Sequence, residues 1–421
     1  MNKLSQSFLQ EVLLNIKSKE AKELVRKELT YHLEQAKLEM LSKGISEEEA
    51  EEKAVHNMGN PNKLGHHFNK LYRPKMDWIL LSLFLIAILM GLLPQLHVQD
   101  QYTGNFLLKQ SIYILLGVVV ALVVMVIDYR KTERLGWYFL ALGSFILLAL
   151  IFTPNVIING ERFIEFAGFA ISGTTVLPIL LMFWASYSSK KKANIVVIFS
   201  VYIVTVFMFT LLPSLTDAAI YSVFLLILFI FSGNKRMVIY STVGISLGLL
   251  AAFTALLWFT AKDYQLVRIF AFLHPEDYAD NAGYTYIKVR ELITEGGWFG
   301  QQKPKYVPEI MTDLAFANIT YYYGWLVAGF LLIVFVSLLT RMLIVSRQIR
   351  DRYGKQLMVA VCSLFSIQFL YNVGMVFGFL PIISISLPFI SYGMTPTILN
   401  SLLIGIALGV YRRKNIVRID V

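Results

Sequence analysis

The sequence predicts an all-α polytopic membrane protein with about ten transmembrane helices, preceded by a small cytoplasmic helical domain. Three observations carry that prediction. Hydrophobic residues make up 56% of the 421-residue chain and charged residues only 16%, with a mean hydropathy of +0.60, far from the composition of a soluble globular domain. Charge is crowded at one end, residues 1–76 holding 13 of the 38 Lys/Arg and 11 of the 28 Asp/Glu. From Asp77 onward, apolar runs recur at close to the roughly 20 residues that cross a bilayer core. A water-soluble enzyme is thereby excluded. The single Cys362 excludes an internal disulfide framework and any CxxC site. The net charge of +10 falls mostly in short loops between apolar runs, a topology signal that lends no support to nucleic-acid binding.

The N-terminal domain, residues 1–75, reads as four helices. Met1–Lys19 has neither the continuous apolar core nor the small-residue cleavage site of a signal peptide. Phe8, Leu9, Val12, Leu13 and Ile16 recur at helical spacing, and Leu24, Val25, Leu29, Leu33, Ala36 and Met40 continue the pattern in a longer helix that Gly44 ends. Ser46 followed by Glu49 reads as a capping box, and Gly59-Asn60-Pro61 stops that third helix and opens a fourth towards Tyr72. His32, His56, His66 and His67 lack HExxH spacing and read as solvated helix-face residues, not metal ligands. The run from Gly44 to Pro61 resembles the permease-prefix type of domain found ahead of bacterial membrane proteins, which implies a docking or regulatory role.

The membrane domain, residues 76–415, has apolar runs at 78–94, 107–127, 135–153, 174–188, 194–213, 217–232, 237–259, 316–340, 356–379 and 388–410. Those at 174–188 and 217–232 are short for a full crossing. Orientation follows from Lys and Arg in the loops. Arg130, Lys131, Arg134, Lys190–Lys192, Lys235, Arg236, the cations from Arg341 to Lys355 and those from Arg412 to Arg418 total 17 on one side, whereas the short opposite loops carry Arg162, with Lys109 at a span start. Both termini are therefore expected in the cytoplasm, and the long segment 261–312 outside.

That outer segment is far longer than a helix connection needs, and long ordered loops are usually functional. It contains Gly296-Gly297-Trp298-Phe299-Gly300 and ends in Val307-Pro308-Glu309-Ile310-Met311-Thr312-Asp313. Asp313 stands where the chain re-enters an apolar helix. Two readings are open there: a functional carboxylate at membrane depth, or a helix N-cap, a task Thr312 also suits. Asp77, Asp128 and Asp217 lie at span boundaries, where anchoring or capping suffices.

Leu387-Pro388-Phe389-Ile390-Ser391-Tyr392-Gly393, with Asn400 following, resembles the C-terminal signature of the SEDS family, the FtsW/RodA/SpoVE type of cell-wall protein. Gln368, Asn372, Gly374 and Pro381, the Gly296–Gly300 run and Ile127-Asp128-Tyr129-Arg130 extend the resemblance over about residues 77–412. It implies polymerisation of lipid II, the undecaprenyl-diphosphate-linked disaccharide-pentapeptide, at the outer membrane face. The family's catalytic aspartate lies in a Pro-Glu-x-His-Thr-Asp-Phe run, matched here by Pro308-Glu309-Ile310-Met311-Thr312-Asp313-Leu314 with Met for His, so the resemblance assigns catalysis to Asp313. A carboxylate there serves as base for the acceptor sugar hydroxyl. The departing diphosphate needs a cation, either basic side chains or a divalent metal. Arg162, in Gly160-Glu161-Arg162-Phe163-Ile164, fits the family's Gly-x-Arg-Trp-Ile-like run; Lys288 and Arg290 are further cations of the outer segment. Glu309, Asn372, Ser391, Tyr392 and Asn400 complete the implied substrate-binding set, although Gln368, Asn372, Ser391 and Asn400 also suit bonding between helices.

The chain departs from the family at Gly173-Thr174-Thr175-Val176-Leu177, where Gln-Pro-Ser-Glu-Leu is usual, and at Ile179, Thr285, Lys288, Tyr321-Tyr322 and Met394. It reads as a divergent paralogue. Two other functions remain compatible: transport of a lipid-linked precursor, and noncatalytic scaffolding of a wall-synthesis complex. By analogy the expected partner is a transpeptidase of the class B penicillin-binding type.

Overall fold

The computed structural model describes residues 3–98, 105–158, 161–166, 169–190, 194–212, 214–231 and 263–415, with 240–241, 243–244 and 248. The chain packs as two compact units, Met1–Asp77 with Tyr411–Val421, and Trp78–Val410.

In the first unit, α1 (Lys3–Leu14), α2 (Lys19–Ser42), α3 (Glu47–Asn57) and α4 (Pro61–Leu71) surround a core of Phe8, Leu9, Val12, Leu13, Ile16, Val25, Leu29 and Leu33. These are the apolar positions whose helical spacing was read from the sequence. Ser18 caps α2, Gly44 follows it at φ +83°, and Asn60 caps α4 by accepting from the Asn62 and Lys63 amides. The capping box at Ser46 is not formed: Ser46 holds the cap position without a side-chain bond, and Glu49 turns instead to Lys53 one helical turn on, at 2.7 Å. The four histidines are exposed.

The second unit begins with α5 (Trp78–Met90) and α6 (Leu93–Val98), then α7 (Phe106–Val126), a 3-10 turn Tyr129–Leu135 and α8 (Gly136–Phe152). Next come β1 (Val156–Ile158), β2 (Glu161–Phe166) and β3 (Phe169–Ile171), an antiparallel meander in the order β1-β2-β3 that was not foreseen. The helices α9 (Gly173–Ser188), α10 (Ile195–Leu211) and α11 (Leu215–Ile230) follow, then α12 (Asp263–Leu273), α13 (Tyr284–Glu295), α14 (Ala315–Gln348), α15 (Arg352–Val376) and α16 (Met394–Arg412). Among the described residues six helical stretches are long and apolar enough to cross a membrane, and three shorter apolar helices match the spans expected at 174–188, 194–213 and 217–232. The span expected at 237–259 lies largely outside the described residues. Peripheral α7 has 22% of its apolar window buried and α16 has 72%, so α7 faces lipid while α16 runs through the centre. α14 packs on α5 and α15, and α15 also on α9 and α11.

α14 is not one straight rod. Gly324 takes φ +78°, ψ 176°, a conformation open only to glycine, and breaks the helix nine residues in. Amides freed by the break are taken up by the outer segment: Trp325 N–H donates to Gly297 O at 2.9 Å and Leu326 N–H to Trp298 O at 3.3 Å, while Gln301 N–H reaches Tyr321 O at 2.8 Å. A Cβ at Gly300 would fall on the Tyr322 backbone, which explains the glycine spacing of the Gly296–Gly300 run.

Candidate functional site

Asp313 is half-buried at the end of a tight turn, in which the Thr312 and Leu314 amides both donate to Glu309 O, at 3.1 and 3.0 Å. The turn requires Glu309 at φ +57°, a left-handed position that β-carbon sterics disfavour. Neither proposed cap is the cap: Leu314 stands at that position of α14 without a side-chain bond, and the Thr312 hydroxyl donates to the Glu309 carboxylate at 2.6 Å. The aspartate therefore sits just outside the helix.

The C-terminal signature fastens this turn from the other side. Ser391 Oγ, buried, donates to Thr312 O at 2.6 Å and accepts from Leu387 N–H at 2.8 Å, and Tyr392 N–H donates to Met311 O at 2.8 Å. From α15, Asn372 Nδ2 donates to Asp313 O at 2.8 Å and to Ile385 O at 2.7 Å. Both neighbours are carbonyls, which only accept, so the amide orientation follows from chemistry. Phe389, at φ +65°, is the second strained non-glycine residue of the site, its ring 5.3 Å from Phe84. Left-handed residues thus occur in both segments that frame Asp313, and such strain persists only where surrounding contacts over-determine it.

Five of the residues singled out from sequence, Glu309, Asp313, Asn372, Ser391 and Tyr392, come together in this way. Tyr392 packs against Phe106 and Tyr113 of α7, with ring centroids 5.4 and 6.1 Å away. Asn400 Nδ2 donates back to Pro396 O of its own helix at 3.0 Å, and its buried Oδ1 has no partner among the described residues. Arg162 lies on β2, where its guanidinium donates to Ile151 O at 2.6 Å and so satisfies a carbonyl in the last turn of α8. Lys288 pairs with Glu291 at 2.9 Å, and exposed Arg290 with Glu276 at 3.1 Å. The Lys288 bond, helped by Lys305 at 3.3 Å, holds the Glu291 carboxyl below the usual range. No group of three or more His, Cys, Asp or Glu among the described residues is arranged to hold a metal ion. Asp313 and Glu309 are the two carboxylates of this turn, and a divalent ion held by them would take its remaining ligands from substrate phosphates and water.

Sequence reading missed three contributors. Gln110, fully buried in α7, accepts from Gly393 N–H at 3.3 Å; one amide within an otherwise apolar span was its signal. Tyr286 Oη accepts from Ile382 N–H at 3.0 Å, tying α13 to the segment between α15 and α16. Ala170 N–H of β3 donates to Thr395 Oγ1 at 3.1 Å, bringing the meander to the start of α16. Asn159-Gly160 directly after the β-branched run Val156-Ile157-Ile158 was the hairpin signal for that meander.

Comparison with known proteins bears on the whole membrane region. Residues 74–416 match the FtsW/RodA/SpoVE family model, described as cell cycle protein. A relative from Trichlorobacter lovleyi named "Probable peptidoglycan glycosyltransferase FtsW" is 29% identical over 322 residues, 72% of this chain and 83% of its own. Stage V sporulation protein E of Bacillus subtilis is 28% identical over 328 residues, 73% of this chain and 87% of its own. Among solved structures, a chain from a study of structural coordination of polymerization and crosslinking by a peptidoglycan synthase complex superposes with a TM-score of 0.69 at 19% identity, covering 80% of this chain and 98% of that one. The rod shape determining protein RodA of Thermus thermophilus gives a TM-score of 0.58 at 17% identity over 80% of this chain and 97% of its own. At those identities the likeness is one of fold.

Proposed function

The chain belongs to the FtsW/RodA/SpoVE (SEDS) family of cell cycle proteins, and from that premise we propose that it is a peptidoglycan glycosyltransferase that polymerises lipid II at the outer face of the bacterial cell membrane. Both termini are then cytoplasmic and segment 261–312 extracytoplasmic, a placement that the distribution of Lys and Arg supports. One observation carries the reading: the backbone of the turn bearing Asp313 is held by Asn372 from α15 and by Ser391 from the C-terminal signature, which supports a carboxylate presented from a fixed turn at the start of α14.

The chemistry needs such a group. A glycosidic bond forms between the acceptor sugar oxygen and the anomeric carbon of the donor as the bond from that carbon to undecaprenyl diphosphate breaks. Asp313 accepts the proton that the acceptor hydroxyl loses, a contribution of about 10²–10⁴ in rate for a positioned base. Charge on the departing diphosphate is met by cationic side chains, for which Arg162, Lys288 and Arg290 are the candidates, while Glu309, Tyr392 and Asn400 belong to the substrate-binding surface. A class B penicillin-binding transpeptidase is the partner that would cross-link the emerging strand.

The test is lipid II polymerisation by purified protein in liposomes, with and without such a transpeptidase, comparing wild type with Asp313→Ala after both are shown to be folded. Glycan strands from the wild type alone are expected. No polymer from the wild type in either condition, while another family member works alongside, would refute the reading and turn attention to precursor transport or scaffolding.

A further inference from the structure

A second site lies within the unit formed by Met1–Asp77 and Tyr411–Val421. A cavity of about 530 Å³ opens there, lined by Lys17 from the turn between α1 and α2, by Lys19 and Glu20 at the start of α2, by Arg73 beyond α4, and by Arg412 and Arg413. Five cations face one carboxylate. That carboxylate is already matched: Arg413, 3% exposed, gives Nε and Nη2 to Glu20 at 2.9–3.2 Å. The pair contributes a neutral wall.

Lys17, Lys19, Arg73 and Arg412 have no acidic partner among the described residues. Surface cations ordinarily splay apart into water, but the segments bearing these four are pinned around one concave space. Lys17 N–H donates to Asn69 Oδ1 at 3.0 Å, and Lys75 N–H donates to Arg412 O at 3.3 Å. Like charges held together raise the local potential and attract a counter-charge. The volume is that of a small-molecule pocket, and a lone halide would leave most of it empty.

We propose that this cavity is a binding site for a phosphate-bearing anion. Guanidinium forks and lysine point charges are the usual pair for phosphate oxygens. Arg412 ends α16 and Arg73 precedes Trp78 by five residues, so both belong to the boundary of an apolar span, where lipid phosphates lie. A soluble phosphate ester offers the same chemistry, and the experiment separates the two sources.

Full-length wild type and a Lys17→Gln/Lys19→Gln/Arg73→Gln variant are compared in two arms. Inorganic pyrophosphate is titrated by calorimetry into protein in nanodiscs of pure phosphatidylcholine at fixed ionic strength. Separately, thermal unfolding in detergent is followed with added phosphatidylglycerol or phosphatidylcholine. All three replaced side chains lie on the exposed part of the rim, so the variant folds. Exposed charge contacts contribute about two- to fivefold each, so the variant is expected to bind at least about tenfold more weakly. Saturable binding of pyrophosphate near one per chain assigns a soluble phosphate; a midpoint shift with phosphatidylglycerol alone assigns a lipid headgroup. Equal binding by wild type and variant, or no response of the folded wild type in either arm, overturns the proposal.

Discussion

Replacing Asn372 by Leu tests whether this side chain places the Asp313 carboxylate. The two side chains are close in length, so the change is chiefly one of bonding. The variant loses the bonds from Nδ2 to Asp313 O and Ile385 O, at 2.8 and 2.7 Å, in a position that is 0% exposed. At about 0.5–1.5 kcal/mol net for each bond, the loss is about 1–3 kcal/mol. Removing the buried Oδ1, which has no partner among the described residues, returns about 1–3 kcal/mol of desolvation. Ile385 O is then left unpaired in the interior at a further cost of about 1–3 kcal/mol, so a net loss of about 1–3 kcal/mol and a lower thermal midpoint in detergent are expected. The rate should not be spared, because a base displaced by about 1 Å costs on the order of 10²-fold. Lipid II polymerisation by folded Asn372→Leu is therefore expected to lose about two orders of magnitude in kcat with KM little changed. Asn372→Asp, which sets a carboxylate against two carbonyls, should instead lose stability, by about 3–5 kcal/mol if it stays charged. Polymerisation by Asn372→Leu within about twofold of wild type would show that Asn372 does not place the carboxylate.

Other perturbations follow from the same geometry. Ser391→Ala removes one bond given and one received in a buried position, so unfolding in detergent should show a loss of about 1–3 kcal/mol, with polymerisation falling alongside; an unchanged midpoint would count against the strap. Gly324→Ala forces a side chain into a glycine-only conformation and onto the Trp298 carbonyl and the Gly300 amide, a cost of at least about 3 kcal/mol, read as loss of folded protein after purification. The outer segment should also loosen in acid. Glu291 is held below its ordinary 4.5 by Lys288 and then Lys305, so its ion pairs are intact above pH 4.5 and are lost as pH falls through the lower folded value. Amide exchange over 284–305, corrected for intrinsic rate, should accelerate at that point in wild type and show no such step in Glu291→Gln.

Much of this molecule was legible because membrane solvation writes itself into sequence. A run of apolar residues has few options other than a helix, and the nine expected spans that fall on described residues are all apolar helices. The Asp313 junction was legible for a related reason: an acid at the end of an outer segment is chemically conspicuous. The remaining features depended on partners distant in the chain. Arg162 reads as a solitary outward cation until the end of α8 is seen to need a donor, and Asn372 reads as a helix-bridging amide until Asp313 O and Ile385 O are found beside it. Gly324 is one glycine in a long apolar run, and only the backbone of Gly296–Gly300 approaching from outside tells it apart from Gly329, which meets nothing nearby. Ser46 shows the converse, a local motif that is not formed because Glu49 pairs with Lys53 one turn on in the same helix.

The break at Gly324 divides α14 into two mechanical parts. Residues 315–323 meet the outer segment through Tyr321 and Tyr322, which bond Gln301, Lys303 and Lys305, while Gly297 and Trp298 bond Trp325 and Leu326 beyond the break. Residues 325–348 remain embedded against α15. The turn bearing Asp313 is therefore tied on two sides, to residues 301–305 through Tyr321 and Tyr322 and to α15 and the segment before α16 through Asn372 and Ser391. Trp298 and Phe299, 69% and 84% accessible, stand beside the break, so a contact made there would bear on both halves of α14 at once.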